Sequence, residues 1–138
     1  MSADWSVRSR RVVTPEGVRP AAVTVSEGRI AAVGAWEEAR GEVVDLGELV
    51  LMPGLIDVHV HANDPGRSDW EGFEHATRAA AAGGVTAFLD MPLNSVPPTT
   101  TVDGLEAKRR AAAGRLAVDV GLWGGLVPEN APGAAAGD

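Results

Sequence analysis

Pro53-Gly54-Leu55-Ile56-Asp57-Val58-His59-Val60-His61 reads as a buried strand that ends in two histidines. Side chains alternate faces along a strand, so positions two apart point the same way. Asp57, His59 and His61 are therefore expected on one face, and Ile56, Val58 and Val60 on the other. Two imidazoles side by side near a strand end can converge on one divalent ion, with Zn–N bonds of roughly 2.0–2.1 Å. They can also be a pair of strand histidines satisfied by hydrogen bonds. The Pro-Gly turn, the apolar run and the same-face Asp57 favour metal, with His59 and His61 as candidate ligands.

From Pro53 onward the chain alternates strand and helix. Leu55–His61 is the first strand; Ser68 and Glu71, three apart, then offer a capping box for a helix running to about Ala82. Phe73, Ala76 and Ala80, with Trp70 or Thr77, form its apolar stripe, and Gly83-Gly84 stops it. Val85–Asp90 is the second strand. Thr101 caps a second helix with Asp103 and Glu106 early and Lys108, Arg109 and Arg110 late, the order that suits the helix dipole. Gly114 ends it, and Leu116–Trp123 is the third strand. Strand starts at 55, 85 and 116 give the length of a βαβ unit, hence a parallel sheet. Regular spacing with chemistry at strand C-termini favours a closed barrel over a doubly wound sheet.

Residues 1 to about 52 are punctuated differently, as short strands and tight turns. Val7–Val13, Ala21–Val25 and Arg29–Val33 are β-prone, with Glu27-Gly28 as a two-residue hairpin turn between the last two. Val43-Val44 and Leu49-Val50-Leu51 add further strands. So short a sheet buries little apolar area alone and is expected to pack against something else. The fold class is thus α/β: the start of a (β/α)8 TIM-type barrel, about three strands of it in residues 53–138. Part of a small β-sandwich domain in residues 1–52 precedes it. Three strands cannot close a barrel, and the chain stops at Ala134–Asp138 in what reads as a loop, so the front part of a longer protein is expected.

A net charge of −7 argues against a nucleic-acid partner, since such proteins concentrate Lys and Arg. With no cysteine there is neither a disulfide nor a thiolate metal site, and a cytoplasmic protein is the default. No apolar run of 18 residues and no apolar N-terminal segment support a membrane span or a secretory leader.

The stretch Met52–His61 resembles the opening of the cyclic amidohydrolases. Three further stretches resemble the allantoinases in particular. They are Asn63-Asp64-Pro65-Gly66-Arg67 with Trp70–Phe73, Asp90-Met91-Pro92-Leu93-Asn94-Ser95 with Pro97–Thr100, and Gly121–Pro128. The likeness is weak before residue 47 and strong from 49 to 130. Ala62 stands where Leu is common and Asp64 where Glu is usual. Asn63 stands where dihydroorotases carry an Arg for the substrate carboxylate, a charge an Asn cannot supply.

The resemblance implies a binuclear centre of two divalent ions, Zn in the first instance with Co or Mn as alternatives, bridged by a carboxylated lysine. That lysine, the remaining histidines and the general-base aspartate are expected beyond residue 138. His59 and His61 would hold the more buried ion. Asp57 is a candidate for orienting an imidazole, or a plain structural carboxylate. Asn63 and Asn94 are candidate substrate contacts, and each also reads as a turn residue. Lys108, the only lysine, reads as a solvated helix residue unable to reach the strand ends, and His75 as a surface or packing residue. Arg67 is expected to pair locally with Asp69 or Glu71. Allantoin is the implied substrate and allantoate the product, in purine or ureide breakdown by a homotetramer. Hydantoinase and dihydroorotase activities, or a non-catalytic homologue, are the alternatives. The 138 residues alone are expected to be inactive.

Overall fold

The computed structural model describes residues 5–131, and the Ala134–Asp138 stretch read as a loop lies outside them. The chain divides into two compact units, Met1–Pro53 and Gly54–Asp138. Among the described residues no helix is long and apolar enough to cross a membrane.

The first unit is one mixed sheet of β1 (Trp5–Thr14), β2 (Gly17–Ser26), β3 (Arg29–Gly34), β4 (Glu42–Asp45) and β5 (Val50–Leu51). β1 is its spine, antiparallel to β2 on one side. On the other side β4 and then β5 pair with it in parallel. Glu27 and Gly28 both have positive φ, 49° and 74°, as a two-residue hairpin turn requires. Between Ser9 and Val12 the register of β1 slips by one residue. The buried Ser9 hydroxyl stabilises that bulge by accepting the Arg11 N–H at 2.9 Å while donating to the Leu49 carbonyl. Trp36 lies under the guanidinium groups of Arg8 and Arg10, 4.5 and 4.8 Å from the ring centre. Val7, Val12, Val23, Val25, Ile30 and Leu51 line an apolar trough on this sheet.

The second unit is a parallel sheet in the order β6 (Leu55–Val60), β7 (Val85–Asp90), β8 (Asp119–Leu122), with α1 (Phe73–Ala82) and α2 (Val102–Ala112) as crossovers. Its core lies between sheet and helices: Ala62, Phe73, Ala76, Phe88 and Ala112, joined by Val60, Val85, Val120 and Leu122. The small side chains on α1 let the helix approach the sheet closely. Thr101 caps α2 as expected, its hydroxyl accepting the Gly104 N–H at 3.1 Å.

Four local readings need correction. Ser68 does not cap α1, which begins at Phe73 behind Gly72. Its hydroxyl donates instead to Asp64, 2.7 Å away. The buried Asp64 carboxylate itself reaches the Phe73 N–H, at 3.4 Å, and receives Arg115 at 3.0 Å, so a carboxylate from the preceding loop joins Glu74 of the first turn at this helix start. The third strand starts at Asp119 rather than Leu116, because the Ala117 N–H is taken by the buried Thr77 hydroxyl on α1 at 3.1 Å. Arg67 stacks on Trp70, 4.9 Å from the ring centre, and forms no ion pair among the described residues. Lys108 is not solvated; it is 1% exposed.

In the complete protein, Phe73→Ala should cost about 3–5 kcal/mol of stability and Thr101→Ala about 1 kcal/mol, read as shifts in urea midpoint at constant slope. The carboxyl of Asp45 lies below its ordinary value of 3.8, held there first by the Gly47 N–H and then by Arg8. A depressed folded value means a contribution present above that ordinary value and lost as pH falls through the folded one. An NMR titration should place its midpoint below 3.8, and Arg8→Ala should raise it only part of the way.

Candidate metal centre

β6 carries His59 and ends one residue before His61, and the two are not set by simple alternation. Asp57 pairs in register with Phe88, and Val60 with Asp90, so three steps along β6 match two along β7. The extra residue is a bulge at Val58–His59. Side chains of residues paired in register share a face. Asp57 and Val60 therefore both sit on the side of Phe88, towards the helices. A cleft of about 250 Å³ on that side is lined by Asp57, Val60, His61 and Glu71, with Ala76 and Phe88.

The bulge takes the Val58–His59 peptide out of the ladder, and two side chains satisfy it. An oxygen of Asp57 accepts the His59 N–H at 3.0 Å. The Trp123 indole N–H donates to the Val58 carbonyl at 3.0 Å. Asp57 thus holds the backbone of His59, and no hydrogen bond from it to an imidazole occurs among the described residues.

His59 and His61 are exposed, with ring centres 5.3 Å apart and planes inclined by 60°. Two imidazoles bonded tetrahedrally to one ion at roughly 2.0–2.1 Å would place their centres about 5 Å apart. The spacing fits two ligands of one ion. No group of three His, Cys, Asp or Glu suited to a metal occurs among the described residues. His75 is not part of this pair; it is exposed on α1 beside Glu71.

Behind His61 lies the residue that sequence reasoning missed. Asp90, at the end of β7, is 1% exposed. One of its carboxylate oxygens accepts the N–H of Ala62, at 2.7 Å. The other receives the ammonium of Lys108, at 2.5 Å. Lys108 donates as well to the Met91 carbonyl at 2.9 Å. A charged pair split between consecutive elements, 18 residues apart, leaves no periodic signal. The only available hint was a lone lysine on the same helix stripe as Gly104 and Ala112.

The loops after the three strands are laced together at this end. The Val96 N–H donates to the Pro65 carbonyl and the Gly125 N–H to the Thr99 carbonyl, both at 2.8 Å. Gly66, at φ 89°, admits no side chain, since a Cβ would lie 2.7 Å from Val96. Asn63 and Asn94 are half-buried in the first and second of these loops. The side-chain amide oxygen of Asn63 is buried without a partner among the described residues, as are the hydroxyls of Ser95 and Thr99.

Residues 50–136 match the model of the amidohydrolase family, and residues 3–49 match that of the allantoinase composite domain. The chain is 60% identical to an allantoinase of Streptomyces avermitilis over 127 residues, covering 90% of this chain and 28% of that protein. It is 54% identical to an allantoinase of Arabidopsis thaliana, covering 91% of this chain and 26% of that one. The chain thus spans little more than a quarter of these relatives. Among solved structures it is similar to an L-hydantoinase (dihydropyrimidinase) from Arthrobacter aurescens, with a TM-score of 0.80 and 35% identity over 91% of this chain and 29% of that one. A dihydropyrimidinase from Brevibacillus agri gives a TM-score of 0.72 at 30% identity, over 86% and 26%. The βαβ run of the second unit is accordingly the opening of a TIM-type barrel.

The bulge makes a specific prediction about His59. Asp57→Ala should speed hydrogen exchange at the His59 amide by about fivefold, the loss of a net hydrogen bond of ~1 kcal/mol. The amides of β7 should be unaffected, which residue-resolved exchange would read directly.

Proposed function

The chain belongs to the amidohydrolase family, and from that premise we propose that the protein it is part of is an allantoinase. It hydrolyses the cyclic amide of the allantoin ring to give allantoate, in purine or ureide breakdown. The observation that supports this substrate is that both parts of the chain point to it: residues 3–49 match the composite domain of allantoinases, and the identity to allantoinases runs through 127 residues.

Within that reading His59 and His61 would hold one of two divalent ions, zinc in the first instance with cobalt or manganese as alternatives. A carboxylated lysine expected beyond residue 138 would be a further ligand. When bound, such ions polarise a carbonyl and lower the pKa of water, which an unreactive amide and a poor nucleophile both need. The residues of this chain supply position. Asp57 and Trp123 hold the Val58–His59 peptide from both ends, so the His59 ring leaves the strand at a set point. Asn63 and Asn94 hydrogen-bond the uncharged ureido or ring amide groups, for which an amide side chain offers both donor and acceptor. The laced loops that carry them keep these contacts in register with the histidines. The protein works in the cytoplasm as a homotetramer on this small molecule, with neither nucleic acid nor membrane as partner.

The likeness to an L-hydantoinase supports a second reading, a hydantoinase with the same metal chemistry. The full-length protein should open allantoin in the presence of zinc and lose that activity to a chelator, regaining it on metal return. Turnover of 5-monosubstituted hydantoins with allantoin left intact would move the assignment to the second reading. His59→Asn and His61→Asn should each weaken metal binding by more than the roughly 10–100-fold typical of losing an outer hydrogen-bond partner, measured by chelator competition.

A further inference from the structure

We propose that Asp90 and Lys108 are positioning residues for His61. This rests on the reading that His61 is a metal ligand. The peptide N–H that immediately follows His61 belongs to Ala62, which is fully buried, and its partner is an Asp90 carboxylate oxygen at 2.7 Å. Met91 donates its own N–H to the Val60 carbonyl at 2.8 Å, so the two peptides flanking His61 are both tied to the end of β7. The second Asp90 oxygen is held by Lys108 from α2, and Lys108 also grips the Met91 carbonyl. His61 lies just past the last residue of β6, where the ladder no longer sets its backbone. The carboxylate takes over that task, and the ammonium fixes the carboxylate.

A side chain that merely filled the core could be exchanged for any other of its shape. Here one atom matters: an acceptor at the Asp90 oxygen facing the Ala62 N–H. Two neutral pairs in the complete protein separate these roles. Asp90→Asn with Lys108→Met removes both charges and keeps an amide oxygen for Ala62. Asp90→Leu with Lys108→Met removes the charges and the acceptor together. The readouts are affinity for Co²⁺ and Zn²⁺ by chelator competition, the visible spectrum of the Co²⁺ form, and thermal melting.

The first pair should bind both ions within a few-fold of wild type. The second should bind them roughly 10–100-fold more weakly, with an altered Co²⁺ spectrum, while melting cooperatively. Should the Leu/Met pair not fold, Asp90→Glu retains the charge but moves the carboxylate by one methylene, and the same weakening and spectral change are expected from it. Wild-type affinity and spectrum in the Leu/Met pair, or in Asp90→Glu where that pair is unfolded, would overturn the proposal while leaving the metal reading intact. Wild-type protein that binds neither ion more tightly than His61→Asn would remove the metal reading and this inference with it.

Discussion

The barrel unit is organised around a salt bridge closed off from water. Moving a carboxylate and an ammonium out of solvent costs several kcal/mol per ion even after relaxation, and mutual attraction offsets this only when the remaining donors and acceptors are also satisfied. Asp90 and Lys108 meet that condition, with the Ala62 N–H and the Met91 carbonyl taking up the free valences. An apolar pair of similar volume could give comparable stability. What it could not do is specify where β6 ends relative to β7 and α2. Removing one partner alone would strand the other charge in the core, which is the expensive case.

The same end of the sheet carries a second device that works by displacement. One surplus residue in β6 turns Asp57 and Val60 to the helix side, and frees the Val58–His59 peptide to be held by side chains. A regular strand would have left the Val58–His59 peptide to the ladder. The bulge hands control of His59 to Asp57 on β6 and Trp123 just past β8, much as Asp90 controls His61. Both histidines are thus set by contacts to their peptides rather than to their rings.

What could be read from the sequence follows from the range of the forces involved. β7 was legible to the residue, because Val85–Asp90 is bounded by a Gly-Gly stop and a Met-Pro turn. The Glu27-Gly28 turn and the Thr101 cap were legible because each is decided within four residues. The expected parallel αβ order and TIM-type fold hold, since they rest on spacing and apolar stripes. Misreadings came where a partner outside the expected helix contacts won a local competition. Ser68 was taken by Asp64, Ala117 by Thr77, and Lys108 by Asp90, whose attraction outweighed its helix neighbours Arg109 and Arg110. Register could not be read at all, since a bulge changes no composition. For the histidine pair, the residue types and their two-residue spacing were visible, whereas the carboxylate behind His61 lay 29 positions away in sequence, hidden from any periodic pattern.

The buried ammonium of Lys108 has a practical corollary, since these 138 residues contain no other lysine. Acylating reagents aimed at ε-amines find no accessible target in this stretch while α2 remains seated on the sheet. Modification at that single position therefore reports separation of α2 from Asp90, giving the fold a built-in chemical gauge of its own opening.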